Sequence, residues 1–484
     1  MAAFKTDESF LEKIAIGAIG TQKVFENLRL QGHRPIELER GSMNYKIWKK
    51  IKIKRIRVPD ILCVKCGIRV ESRAKTKLEV TMSHSFSDPD RGWDAGLKDN
   101  DYVALVVCKK TGERPIDWQA SDLIQYIAVK DLRAAERQQR IVHVKPKGAG
   151  EGFEARITWP AVVASAGGTI KTISSEKIQF ARAGDHKTIS LSLTQKGLKL
   201  NPWLCVGEHL AQHQILASVV PVAQAFPCTS VDQRYFLEQI ANVDLTERYA
   251  AAKALSYFDN PHVQKALLGK LTDASEHIYV RLEAAASLAR CQIATGYDFI
   301  KTCLHDSYLQ NVLEAVIVLA EIKTETACHL LCDVLQDETR NAEIRAGAAW
   351  GLGELHNKSA LIALTESFAA LDQGIRIEAA RALGKLTQDF TAEIIDHFRQ
   401  AMPMQKPGLA WALAKSGSLR LEELLASLTN DDARHWITYI IGMQGEERYM
   451  REIEKLKHAD PEVYFAVTVL WKIMTSWVYN LKEY

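Results

Sequence analysis

The chain has 484 residues, 47% apolar and 25% charged, a make-up suited to two to four cored globular domains. No apolar run approaches the roughly 18 residues a membrane span needs, and Met1 to Glu8 lacks the basic-then-apolar order of a signal peptide. A cytoplasmic protein that does not enter a membrane is therefore expected, and nine scattered cysteines, odd in number, fit reduced thiols. The net charge of +3 hides an asymmetry: residues 1–228 carry 36 Lys/Arg against 24 Asp/Glu, and residues 229–484 carry 26 against 35. The first half suits a polyanion such as nucleic acid, and the acidic second half suits a protein partner.

Phe10 to Leu30 reads as an amphipathic helix, with Leu11, Ile14, Ile19, Phe25 and Leu28 at helical spacing and Gly32 ending it. A short strand at 36–39 follows. Lys46 to Val58 alternates isoleucine with cations and reads as a strand with a bulge at Lys54 and Arg55, running into Pro59 and Asp60. Its cations, Lys50, Lys52, Lys54, Arg55 and Arg57, form a strip able to hold phosphates. The segment 67–80 gives the clearest strand. Ile68, Val70, Ser72, Ala74, Thr76, Leu78 and Val80 fall on one face, and Glu71, Arg73 and Lys75 on the other.

A strand delivering Asp60, then one delivering Glu71 beside two cations, has the elements of a phosphodiester-cleaving metal site. Two carboxylates hold a hard cation, Mg²⁺ or Mn²⁺, which activates a water, while a neighbouring cation stabilises the developing charge. The order helix, strand, Pro-Asp strand, Glu-x-Arg strand resembles the PD-(D/E)xK nucleases, the restriction-endonuclease-like fold. That resemblance implies metal ligation by Asp60 and Glu71, with Arg73 and Lys75 completing the catalytic set. Arg73 stands where the family has its lysine, and an arginine cannot act as a base. Lys75, one pleat further on, is its substitute. Gly20 to Gln22 resembles the family's helical motif with glutamine in place of glutamate, and Glu12 and Glu26 are neighbouring candidates. The competing reading is a ladder of exposed charges guarding an edge strand.

Cys63 and Cys66 form a CxxC that looks like a zinc knuckle. Zinc there is the weaker expectation, because two further ligands are required and His84 and Cys108 are the nearby options. The segment from His84 to Asp94 crowds acids, a histidine, an arginine and a tryptophan into a loop able to contact substrate or to be a capped turn. Residues 136–228 alternate in short runs broken by glycines and read as a small all-β domain. His209 and His213 would share a face if their stretch were helical, and surface histidines are the preferred reading.

From 229 onward an Ala-rich helix recurs, ending at Leu255, Leu288, Leu319, Leu352, Leu383 and Leu413, which lie 33, 31, 33, 31 and 30 residues apart. A weaker copy falls near Ile441. A fixed period with small residues on one face means stacked helical hairpins. Arg281 to Leu288 and Arg376 to Leu383 carry an Arg-x-Glu-Ala-Ala-x-x-Leu signature that resembles short HEAT-like repeats. That resemblance implies a solenoid with a concave surface for a partner. The chain contains no GxxxxGKS, HExxH or GxSxG, which argues against an ATPase or protease.

The expected fold class is multidomain α+β: an α/β endonuclease-like domain (1–135), a β-rich domain (136–228) and an all-α HEAT-like solenoid (229–484). The leading expectation for function is metal-dependent cleavage of nucleic acid, DNA first, within a larger assembly such as a defence system. The alternative is a non-enzymatic HEAT-repeat adaptor whose nuclease-like domain binds nucleic acid or protein without cutting. A role like that of pigment-attaching lyases built on such repeats fits the array but leaves residues 1–228 without an account.

Overall fold

The computed structural model describes residues 7–43, 51, 56–78, 80–145, 155–258, 260–415 and 457–458. The chain divides into two compact units, one of residues 1–47 and 55–266, the other of residues 48–54 and 267–483. The weak repeat near Ile441 and the cations Lys50, Lys52, Lys54 and Arg55 lie outside the described residues.

The first unit opens with helix α1 (Asp7–Leu30), then β1 (Pro35–Glu37), β2 (Ile61–Cys63), β3 (Arg69–Lys75) and β4 (Thr81–His84). Strands β5 (Tyr102–Lys110) and β6 (Trp118–Ala128) and helix α2 (Val129–Arg137) follow. Five of these strands make one sheet in the order β1-β2-β3-β5-β6. Neighbours are antiparallel except β3 and β5, which run parallel. α1 covers one face: Ile16, Val24 and Leu28 bury against Val70, Ala104, Val106 and Tyr126. A Cβ on Gly20 would stand 2.3 Å from the Ala74 Cβ, so α1 meets β3 closer than any side chain would allow. The opposite face, with Val103, Leu105 and Ile127, packs on Trp93, Leu97, Val129 and Leu132.

Three expectations change here. β3 is the middle strand of the sheet, so its charges are no edge guard. It also ends at Lys75 rather than at Val80, because Leu78 and Val80 leave the ladder to join the core around Trp93. Residues 56–59 are irregular rather than strand. There the Arg57 carbonyl oxygen lies 2.3 Å from where a Cβ on Gly96 would sit, against a turn that needs Gly96 at φ 73°.

Nine short strands follow: β7 (Val142–Val144), β8 (Ala155–Thr158), β9 (Ala161–Val163), β10 (Gly168–Ile173), β11 (Lys177–Arg182), β12 (Thr188–Ser192), β13 (Lys199–Leu200), β14 (His209–Leu210) and β15 (Ile215–Ser218). They form sheets β12-β11-β10-β14 and β13-β15-β9, and β4-β8-β7 draws on both sides of residue 135. His209 sits in a strand and His213 in a left-handed turn at φ 69°, so they share no helical face.

Helices α3 (Gln233–Gln239), α4 (Leu245–Leu255) and α5 (Pro261–Thr272) begin the array. α6 (Ile278–Arg290), α7 (Ala294–Leu304), α8 (Leu309–Ile322), α9 (Glu325–Gln336) and α10 (Ala342–Leu355) continue it. α11 (Leu361–Glu366), α12 (Gln373–Gln400, kinked at Phe390) and α13 (Lys406–Lys415) complete the described part. Four of the five repeats share one grammar, and the α8 repeat departs from it. The second helix starts at Asp244, His277, Tyr308, Asn341 or Asp372, and all but Tyr308 cap it through the side chain. Four residues later, in every repeat but that of α8, where Val312 takes the position, an arginine turns back to carbonyls of the preceding segment. Arg281 Nε donates to Leu271 O (3.0 Å), Arg345 Nε to Leu335 O (2.8 Å), and Arg376 Nη1 to Leu371 O (2.9 Å). Arg248 likewise donates to the carbonyls of Asn242 and Val243. Arg281 and Arg345 thus cap the C-terminus of the preceding helix, and Arg248 and Arg376 tie down the connector before their own. Leu255, Leu288, Leu319, Leu352 and Leu383 are all fully buried.

Small residues set the helix spacing. A Cβ on Gly353 of α10 would lie 2.8 Å from the Ala382 Cα of α12, whereas one on Gly269 of α5 meets nothing within 4 Å. The same substitution should therefore act with opposite sign at the two sites. Gly269→Ala is expected to stabilise by about 0.5–1 kcal/mol through helix propensity. Gly353→Ala, which forces α10 and α12 apart, is expected to cost about 1–3 kcal/mol. Urea unfolding followed by far-UV circular dichroism measures both, and midpoints moving the same way would refute this account of the spacing.

Candidate functional site

Asp60 stands one residue before β2, and its place is dictated by the hairpin register. Ile61 pairs with Val70 in the antiparallel β2–β3 ladder, so Asp60 lies opposite Glu71. Such a cross-strand pair brings the two Cβ atoms within about 5 Å. Asp60 is buried, and its Oδ2 accepts from the Ser72 N–H at 2.7 Å. Burial pushes its pKa well above the ordinary 3.8, with the charges of Glu71 and Glu39 adding to the shift. The Ser72 N–H and Arg73 oppose it.

Glu71, Arg73 and Lys75 do share a face, beside Val103, Leu105 and Val107 of β5. The Arg73 guanidinium pairs with Glu71 at 3.1 Å. Lys75 Nζ donates to Thr81 O and, at 2.6 Å, to Thr81 Oγ1. The lysine therefore closes the β3–β4 connection rather than reaching toward the acids. The helix-one candidates point elsewhere: Gln22 donates to Met43 O, Glu12 pairs with Lys110, and Glu26 with Lys23. Arg57, the described member of the basic strip, is exposed.

One more residue on this face, Arg69, carries a structural load that the alternation pattern did not signal. Its guanidinium is buried and pairs bidentately with Asp101, with Glu247 of α4 at 3.0 Å and with Thr246 Oγ1.

The loop 84–94 is a capped turn. Asp88 caps the short helical turn at 89–91, Asp94 pairs with Arg133 at 2.8 Å, and the buried Trp93 donates to Glu136. His84 accepts from the Trp93 N–H, and the Cys108 thiol faces the Ile16 carbonyl inside the core. Neither residue approaches the CxxC. Its neighbours are instead His33 and Cys228. The four ligating atoms of His33, Cys63, Cys66 and Cys228 all lie within 4.8 Å of one another, the one such group found among the described residues. Cys66 donates to Cys63 and thereby holds the Cys63 sulfur well below the usual thiol range. Sequence reading missed His33 and Cys228 because Cys63 and Cys228 stand 165 residues apart. The available signal was a cysteine in the connector just before the first repeat.

Residues 310–384 match the HEAT repeats family profile. No curated protein matches the chain. Among solved structures, the chain is similar to the complex of CpcE and CpcF of phycocyanin lyase from Nostoc sp. PCC7120, at 17% identity and a TM-score of 0.26, over 51% of this chain and 99% of that one. It is similar to human deoxyhypusine hydroxylase at 18% identity and a TM-score of 0.20, over 46% and 85% of the two chains. It also resembles a designed armadillo repeat protein in complex with the peptide (KR)4, at 17% and 0.19, over 50% and 99%. The C-terminal region is built of HEAT repeats, the N-terminal region of several small sheets, and no helix among the described residues is long and apolar enough to cross a membrane.

Because native Asp60 holds its proton more tightly than the unfolded chain, the native state binds more protons from pH 3.8 up to the raised native value. Stability conferred at this position therefore falls as pH rises through that window. Asp60→Asn, which keeps an oxygen for the Ser72 N–H, should raise the melting temperature near neutral pH in a chelating buffer, and the gain should vanish below pH 3.8. Thermal melts of both proteins across pH test this, and a gain independent of pH would refute it.

Proposed function

We propose that this chain is a HEAT-repeat adaptor that presents its helical array to a protein partner. The observation that carries this reading is the array itself: HEAT repeats match at 310–384, and the cap, arginine and leucine pattern recurs on the N-terminal side at α6 and α4. Stacked repeats of this kind serve other proteins as extended binding surfaces. The acidic excess of residues 229–484 favours a partner with basic groups. Tyr308 and Leu371, 59% and 99% exposed at the starts of α8 and α12, are apolar anchors for such a surface. In native extracts the chain should elute above its own 54.2 kDa. Tyr308→Glu with Leu371→Glu should shift it to monomer mass while leaving the helical spectrum intact. Elution of the unmodified chain at monomer mass would overturn the adaptor.

A second reading is favoured by one observation, the register that sets Asp60 opposite Glu71. In this reading the first unit is a PD-(D/E)xK-like domain. Asp60 and Glu71 would hold Mg²⁺ or Mn²⁺, which would supply Lewis-acid activation of a water for hydrolysis of a phosphodiester, DNA first. Arg73 stabilises the developing charge, with Lys75 supporting the strand, and Lys50, Lys52, Lys54, Arg55 and Arg57 hold the backbone phosphates. Both acids fit a hard cation by donor type. The pairing of Arg73 with Glu71 and of Lys75 with Thr81 suits the adaptor better, because both cations already serve groups of the protein itself. Plasmid incubated with the chain and Mg²⁺ or Mn²⁺ decides: cleavage lost in both Asp60→Ala and Glu71→Ala supports the nuclease. Equal traces for all three proteins leave the adaptor alone.

A further inference from the structure

We infer that His33, Cys63, Cys66 and Cys228 bind a structural zinc ion that ties together three segments of the first unit. The chemistry is the first ground: three thiols and an imidazole suit zinc and exclude the hard cations, which take oxygen ligands. Geometry is the second. A tetrahedral site with Zn–S about 2.3 Å and Zn–N about 2.0–2.1 Å has S···S edges of roughly 3.8 Å and S···N edges of roughly 3.6 Å. The Cys63 and Cys228 sulfurs are 3.9 Å apart, and the Cys66 sulfur is 3.6 Å from His33 Nδ1. Two of the six edges thus already have the lengths of the coordination figure, and the other ligand atoms lie within 4.8 Å of one another.

The surroundings prepare each ligand. His33 Nε2 lies 3.3 Å from the Phe226 carbonyl and donates its proton there, which leaves the Nδ1 lone pair for the ion. The ring also packs on Phe226 at 4.7 Å. The Arg34 N–H donates to the Cys63 sulfur at 3.3 Å, as backbone amides do to metal-bound thiolates. Gly67, at φ 75°, turns the chain straight after Cys66, and its N–H donates to Cys63 O at 2.8 Å. Three thiolates around a divalent ion leave one negative charge. Lys65 stands between the two knuckle cysteines and donates to Gly32 O at 3.1 Å, placing a cation at the rim. His33, Cys63 and Cys66 are buried and Cys228 half-buried, so the site has no position open to substrate, as a structural zinc requires.

The ion would join the end of α1, the turn between β2 and β3, and the connector entering α3. The β2–β3 turn joins the two strands that carry Asp60 and Glu71, but the zinc site makes no use of either acid and stands or falls separately from both readings above.

Metal analysis of the full chain, purified without chelator, is expected to find one zinc per chain. Cobalt exchange should produce thiolate-to-metal charge-transfer bands and tetrahedral d–d bands. Cys228→Ser and His33→Ala should lose stoichiometric zinc, while Cys205→Ser, an exposed cysteine outside the cluster, should keep it. If the ligand variants fail to fold, the wild-type metal content and cobalt spectrum still decide. A folded wild-type chain without zinc after incubation with the ion, a Cys63–Cys228 disulfide seen by mass spectrometry, or iron with acid-labile sulfide would each overturn the assignment.

Discussion

A guanidinium sealed from water organises the first unit. Arg69 lies in β3 and is 2% exposed, and its partners Asp101 and Glu247 are buried with it. Desolvating three charges is costly, and the arrangement persists because nearly every donor is engaged: one bond to Asp101 Oδ1 and two to Oδ2, one to the Gly96 carbonyl, and others to Thr246 and Glu247. Lys98 adds a second cation on Glu247 at 2.8 Å. Breaking one partner out of such a cluster typically costs about 3–5 kcal/mol, since the others are left charged and buried. Three parts of the molecule answer to it: the central strand of the sheet, the turn before β5, and the first turn of α4. Its place on β3 also sets Glu71 and Arg73, two and four residues further on.

The face that carries Arg69 therefore divides by depth. At its start the charges are locked into architecture. Further along, Glu71 and Arg73 pair with each other, and Lys75 closes a connection. An acid pair set opposite by register has the composition of a hard-metal site, while the cations beside it serve the protein's own carboxylates and carbonyls. Three thiols and an imidazole at the other end of the same hairpin have soft-metal composition. Donor type separates the two sites even though one β-hairpin supplies both acids of the first and two of the four ligands of the second.

Local periodicity explains what was legible. The α1 helix, the parity of β3 and the leucines of the array were readable because each signal repeats within a few turns or pleats of chain. Glycine at 32 ending α1 was readable for the same reason, and its φ of 84° is the left-handed conformation that glycine supplies. What escaped depends on distant chain. Arg69 reads as one more cation until Asp101 and Glu247 are seen across from it. His33 and Cys228 become partners of the CxxC only once α1 and the connector fold against one turn. The pairing of β4 with β8 crosses the boundary that composition suggested at residue 135. The expected strand before Pro59 gives way at 56–59 to irregular chain lying over the Gly96 turn.

The repeat grammar has a consequence for how the array can change length. The start of each second helix and its buried leucine are always 11 residues apart, from Asp244 to Leu255 through to Asp372 and Leu383, whereas the repeats themselves alternate between 33 and 31 residues. All the variation is therefore absorbed between a leucine and the next helix start. A residue added inside the constant stretch would swing the leucine about 100° around its helix and out of the core. The same residue added in a turn of the variable stretch, outside the first helix that it contains, would only lengthen that turn. The array behaves as rigid cassettes on adjustable joints, and drift in its sequence length is confined to the joints.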